Sequence, residues 1–187
     1  MAEDELEALR RDVRYLMDRT EILDCIANQS RGHDRHDVEL MTSVFAEDGV
    51  DEHGTTVNSG PAYGEWANQV HSLAAQAHLH NITTHTCEID GDEAHCESYV
   101  MVTMLGHDTN TATVIVGRYL DRLERTDGRW RIVVRRSTAE IGFTANASFL
   151  QSGMFQSQGY VKGTWDHDDL SYTRPLKIDS AAARWGA

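Results

Sequence analysis

Two histidine-rich strings could carry proton chemistry. GHDRHD places His33, Asp34, His36 and Asp37 together, and HLHNITTH places His78, His80 and His85. An imidazole held by a carboxylate has its tautomer fixed and its basicity raised, as a general base requires. Side chains alternate along an extended strand, so His78 and His80 are expected on one face and His85 on the other. Asp34 is then the candidate to orient His80, which would abstract or deliver a proton. Plainer roles fit the same strings: a solvated corner in which Asp37 caps a helix, and histidines simply hydrogen-bonded in a core. Two histidines and a distant carboxylate resemble a metal set in composition only. No HExxH or spaced Cys/His motif accompanies them, and no metal is expected.

A third string, GRWRIVVRRS, alternates Arg131, Val133, Arg135 and Ser137 against Trp130, Ile132, Val134 and Arg136. One of Arg135 and Arg136 must face inward, where a guanidinium needs a partner. Asp34, a substrate anion or a structural salt bridge would each serve.

Other chemistries lack their motifs. There is no GxSxG elbow, Walker loop or dinucleotide fingerprint, and Gly60 with Pro61, and Gly117, read as turn and bulge residues. No cofactor is expected. Seventeen basic against 30 acidic residues give a formal charge of -13, which repels nucleic acid and anionic lipid. No stretch approaches the roughly 20 apolar residues of a membrane helix. The acidic start MAEDELEALRRDV is unlike an export signal, so a soluble, cytoplasmic protein is expected. Cys25, Cys87 and Cys96 are far apart without a CxxC, as suits reduced thiols.

The elements that must position these residues follow from periodicity. From Asp4 to about Gly32, Leu6, Leu9, Val13, Leu16, Met17, Ile22, Leu23 and Ile26 mark a long helix with one apolar face, with a possible break near Asp18. A short helix over Val38–Phe45 follows Asp37, leaving GHDRHD as the corner between them. A short strand surrounds Val50, GTTVNSG reads as turn, and Pro61 opens a helix to about Ala75. Residues 78–90, 93–107, 111–125 and 129–143 read as four strands separated by turn sequences. Helices followed by an antiparallel meander give an α+β domain. Residues 1–144 are expected to form the barrel. Residues 145–187, too aromatic for a disordered tail, are expected to pack on it or on a neighbouring subunit.

DRTEILDCIANQSRGHDRHD, LMTSVFAEDGV, HNITTHTCEIDGDEAHCESY and VGRYLDRLERTDGRWRIVVRR, in this order, resemble the SnoaL-like branch of the nuclear transport factor 2-like superfamily. The resemblance spans about residues 15–140. It implies a cone-shaped α+β barrel with a curved, mixed but mainly antiparallel sheet, closed by N-terminal helices over an apolar cavity, and a homotrimer or, alternatively, a homodimer. Similar members, among them scytalone dehydratase, bile acid 7α-dehydratase and hexachlorocyclohexane dehydrochlorinase, use an Asp/His dyad without metal. Carried over by position, the dyad is Asp34 and His80, and the arginine five residues past Trp130 is Arg135. Gln29, His33, Val102 and Ile115 would line the substrate. His33 stands where scytalone dehydratase has a tyrosine, Met104, with His107 nearby, about where it has a second histidine, and Gln29 about where bile acid dehydratase has a tyrosine. The resemblance implies a cofactor-independent lyase, expelling water or formaldehyde from a small apolar or aromatic molecule, as in aromatic-compound catabolism. An isomerase, or a non-catalytic binding or assembly subunit, is the alternative.

Overall fold

A computed structural model describes residues 2–178 and 181–187. The first helix, α1, runs unbroken over Ala2–Arg35. No break occurs at Asp18 because its carboxylate does not compete for helix backbone: it accepts from Arg125 Nη1 and Nη2 at 2.6 and 3.0 Å and from Trp130 Nε1 at 3.2 Å. The expected apolar face is buried only in its second half. Ile22, Cys25 and Ile26 lie in the core, whereas Leu6, Leu9, Val13, Leu16 and Met17 are exposed.

The corner is tighter than GHDRHD suggested, since the helix continues through Arg35 and turns on two residues. His36 takes the left-handed conformation at φ 50°. Its amide donates to His33 O and that of Asp37 to Gly32 O, satisfying carbonyls freed at the helix end. Asp37 then caps α2, Val38–Ser43, by accepting from Leu40 N at 2.9 Å.

Strand β1, Phe45–His53, pairs antiparallel with β2, Thr56–Ser59. GTTVNSG is therefore mostly strand: only its start turns, with Gly54 at φ 66°. Helix α3, Gly60–Ala74, carries Pro61 in its first turn. Strands β3, Ala77–Asp90, β4, Glu93–Leu105, β5, Thr111–Thr126, and β6, Arg129–Ser137, form the antiparallel meander, and β1 joins its far edge parallel to β6. The sheet order is β2-β1-β6-β5-β4-β3. The result is the mixed, curved sheet with N-terminal helices of the cone-shaped α+β fold.

The fourth meander strand stops at Ser137 instead of reaching 143. The chain crosses to form β7, Ile141–Asn146, which pairs with the first half of β5 while β6 pairs with its second half. Gly117 sits at this handover, where a Cβ would lie 1.9 Å from Thr138 O. Gly117→Ala is therefore expected to destabilise the fold by about 1–3 kcal/mol, the usual cost of forcing atoms into a filled site. Urea unfolding checks it, and an unchanged midpoint would mean that the 138–140 crossing yields freely.

Ile22, Ile26, Met41, Phe45, Tyr63, Leu123, Trp130 and Ile132 form the core between the helices and the inner face of the sheet. Each large apolar side chain fully removed from water there contributes about 1.5–3 kcal/mol.

Candidate functional site

The last two turns of α1 bury four polar residues, Gln29, Ser30, His33 and Asp34. Spacing of four pairs Gln29 with His33 and Ser30 with Asp34 on adjoining parts of one face. The Asp34 carboxylate accepts from the His80 backbone N at 3.0 Å through both oxygens and from His80 Nδ1 at 2.8 Å. The His80 side chain is 3% exposed and that of Asp34 12%. Because the carboxylate accepts, Nδ1 of His80 is the donor and Nε2 keeps the free lone pair. A cleft of about 480 Å³, lined by Ser30, Arg31, Asp34, Arg35, His80, Asn81 and Ile82 among others, reaches this pair from outside; Gln29, His33, Val102 and Ile115 do not line it.

Strand register brings two further expected residues alongside. His80 pairs with Val102, and Val102 with Ile115, so the three lie side by side on one face of β3, β4 and β5. His33 is fully buried; its Nε2 lies 2.7 Å from Gln29 Nε2 and 3.0 Å from Tyr63 Oη.

Two bulges overturn the alternation read from sequence. Between Ile82 and His85 one extra residue enters β3, so His85 pairs with Ser98 and shares the inner face with His78 and His80. Its Nδ1 meets Ser98 Oγ at 2.9 Å. Between Ile132 and Val134 an extra residue enters β6, and Arg135 lies inward with Trp130 and Ile132, all three buried, while Arg136 points out. A bulge places two residues opposite one and so switches which face each later side chain takes.

Arg135 is held by Asp121, not by Asp34. Nε and Nη2 donate to the two carboxylate oxygens at 2.7 and 2.8 Å, with both side chains at 0% exposure. Burial opposes the guanidinium charge, but Asp121 more than offsets it and holds the pKa above its ordinary value. Arg135 also lies over the Tyr119 ring at 4.2 Å. Its Nη1, both Asp51 carboxylate oxygens and Gln29 Oε1 are buried without a hydrogen-bond partner. Asp121 escaped the sequence reading, although an acid at an inward position of GRYLDRL, between Tyr119 and Leu123, was a usable signal.

Helix α3 adds His71, which no motif marked because its neighbours in space are remote in sequence. Its Nδ1 lies 3.3 Å from His33 Nδ1. His33, His71, His78 and His80 form one cluster, with ring centroids 4.4–5.4 Å apart in the pairs His71–His78, His33–His80, His33–His71, His71–His80 and His78–His80. Burial, reinforced by neighbouring histidines, holds His33 well below the usual histidine pKa and pushes His71 to about 2 and His78 to about 3. Among the described residues, His33, His71 and His80 offer ring nitrogens within 4.8 Å of one another, as do the candidate ligand atoms of Asp34, His78 and His80, and of His85, Cys87 and Cys96.

These shifts fix a pH dependence. A histidine with a folded pKa depressed below about 6.5 is neutral in the fold but takes up a proton on unfolding at lower pH. Stability is therefore expected to fall as pH drops from about 6.5 toward 3, by up to about 1.4 kcal/mol per pH unit for each such histidine. Carboxylates with lowered pKa, such as Asp18, act only further into acid. Urea midpoints measured from pH 7 to 4 check this, and a flat profile between 7 and 5 would contradict it.

The C-terminal segment packs beside the same corner. Trp165 stacks on His36 at 4.7 Å, Tyr172 Oη donates to Asp37 Oδ2 at 2.7 Å, and Arg35 pairs with Asp169 at 3.3 Å.

The comparisons agree with this architecture. No curated protein matches the chain in sequence. Among solved structures, Rv3472 of Mycobacterium tuberculosis, a protein of unknown function, is 29% identical with a TM-score of 0.60, over 67% of this chain and 77% of its own. A candidate scytalone dehydratase from Novosphingobium aromaticivorans is 17% identical with a TM-score of 0.62, over 69% and 88%. Hexachlorocyclohexane dehydrochlorinase LinA-type3 from Novosphingobium barchaimii is 20% identical with a TM-score of 0.67, over 72% and 94%. The last two show the fold alone. The SnoaL-like domain family matches residues 14–136, most of the chain. With a cone-shaped sheet, closing helices and this match together, the chain belongs to the SnoaL-like family.

Proposed function

We propose that the protein is a cofactor-independent lyase in which His80, held by Asp34, moves a proton on a small apolar or aromatic substrate. The observation that carries this reading is the 2.8 Å hydrogen bond from His80 Nδ1 to Asp34 Oδ1 beside an open cleft. It leaves Nε2 as a base of fixed orientation. His80 Nε2 would take a proton from carbon, the C–H electron pair would form the double bond, and the leaving group would depart with its own bonding pair. If the leaving group is hydroxyl, the proton returned from Nε2 makes it water. A hydroxymethyl substrate would instead give its hydroxyl proton to His80 Nε2 and release formaldehyde, with the carbon left behind taking the C–C electron pair and then that proton. Gln29, His33, Val102 and Ile115 would hold the substrate, and Arg135 Nη1, uncommitted in its ion pair, would donate to the developing anion. Arg135 Nη1, buried without a hydrogen-bond partner, supports a substrate that carries a polar substituent, since such a group costs about 1–3 kcal/mol when left unpaired.

Among the described residues, no helix is long and apolar enough to cross a membrane. Leu79, Tyr99 and Met101 are exposed on the outer face of the sheet, an apolar strip that supports assembly as a homotrimer.

The test is incubation with arylalkyl alcohols and arylalkyl chlorides that carry a hydrogen on the carbon next to the one bearing the leaving group, and with hydroxymethyl aryl compounds, in deuterated water. A new conjugated double bond in absorbance, or released formaldehyde, marks a lyase, and deuterium at carbon with a shifted double bond marks an isomerase. Ligand binding without either product or exchange would leave a carrier or assembly subunit.

A further inference from the structure

We propose that His33, His71 and His80 form a binding site for a divalent transition metal of the zinc class, and that its occupancy blocks His80 as a base. Binding is independent of the acid/base reading; blocking rests on it.

The geometry is a close approach of ring nitrogens from three separate elements. His33 Nδ1 and His71 Nδ1 are 3.3 Å apart, and the three candidate nitrogens lie within 4.8 Å of one another. Two nitrogens bound to one tetrahedral zinc at about 2.0–2.1 Å are separated by about 3.3–3.4 Å. The His33–His71 pair already has that spacing, and only the third ring needs to close in.

Each ring can present a lone pair. His80 Nδ1 is committed to Asp34, which leaves Nε2, and a carboxylate on the far nitrogen is the usual support of a metal-bound histidine. For His33, the Gln29 amide decides. Its nitrogen lies 2.7 Å from His33 Nε2 while its Oε1 is buried without a partner. Turned end for end, the amide lets His33 Nε2 donate to Oε1 and frees Nδ1 toward His71. Neutral imidazole favours zinc, copper, nickel and cobalt over magnesium or calcium. Three histidines also leave a fourth position open. The ligands come from α1, α3 and β3, so no local spacing motif could reveal them.

The test uses the full chain, stripped by chelator and dialysed with zinc, with metal counted by atomic emission and cobalt(II) as the spectroscopic probe. One zinc per chain and the visible bands of tetrahedral cobalt are expected. His71→Ala is expected to weaken binding at least about tenfold while leaving the Asp34–His80 pair in place; His71→Gln replaces it if the alanine variant does not fold by circular dichroism. No zinc retained by the native chain, or equal retention by the His71 variant, overturns the site. Loss in His78→Ala with no loss in the His71 variant overturns it in favour of Asp34, His78 and His80. For blocking, zinc is expected to abolish native turnover, with the residual turnover of the His71 variant resistant; turnover undiminished at full occupancy overturns blocking alone. If no turnover exists in any form, the acid/base reading fails and blocking with it, while zinc stoichiometry still decides binding.

Discussion

His80→Ala is expected to lower turnover roughly a hundred- to ten-thousandfold, the range a positioned acid/base group contributes, with ligand affinity changed only a few-fold. The split follows from where the ring sits. In the proposed mechanism His80 would offer Nε2 to the reacting proton, whereas substrate would be held by Gln29, His33, Val102 and Ile115. Loss confined to kcat marks a group that acts in the transition state, and a matching loss in affinity marks one that only binds. Asp34→Asn sharpens the test. An amide can still accept from His80 Nδ1, but it lacks the charge that stabilises the imidazolium formed during proton transfer. Its rate is therefore expected to lie between those of the native chain and His80→Ala. Equal affinity for a pocket ligand in all three forms, with no turnover in any, would make the protein a binder.

Asp121→Ala carries the largest expected cost in stability, about 3–5 kcal/mol, because it strands a buried guanidinium. Asp121 and Arg135 are both at 0% side-chain exposure and share two hydrogen bonds. Removing the acid deletes both bonds and leaves the charge of Arg135 with no solvent to replace them. Replacing the two together by Asp121→Leu and Arg135→Met removes both charges, and is expected to recover most of the loss, since buried ion pairs often give way to apolar packing at little cost. Urea unfolding of the two forms separates these effects. If the single variant is as stable as the native chain, water or Asp51 already compensates Arg135. The double variant is also informative for function: if it folds well but turns over slowly, Arg135 serves the reaction through Nη1 as well as the fold.

Much of this site was legible before any coordinates. Asp37 as a helix cap, Pro61 in the first turn of α3 and the four meander strands follow from local chemistry, because caps, proline rings and turn residues act within a few positions. The approach of Asp34 to His80 was anticipated by residue type and by likeness to a family whose members keep this order of elements. The likeness pointed to Arg135, and Arg135 is the arginine that lies inward; alternation alone would have put Arg136 beside Trp130 and Ile132.

Where the reading failed, distance along the chain was the reason. A single extra residue in β3 moved His85 to the inner face, and another in β6 did the same for Arg135, and a bulge is set by pairing with a neighbouring strand, not by the strand's own sequence. The identity of Arg135's partner depended on which residue of β5 stands opposite it. His71 entered the cluster because α3 packs against the end of α1. The sequence by itself therefore determined the helices, the four meander strands and the Asp37 cap, and, with the family likeness, singled out Asp34 and His80 as a pair. Tertiary structure alone decided which other charged and ligating groups meet them, because those encounters depend on register and packing between segments that no local pattern encodes.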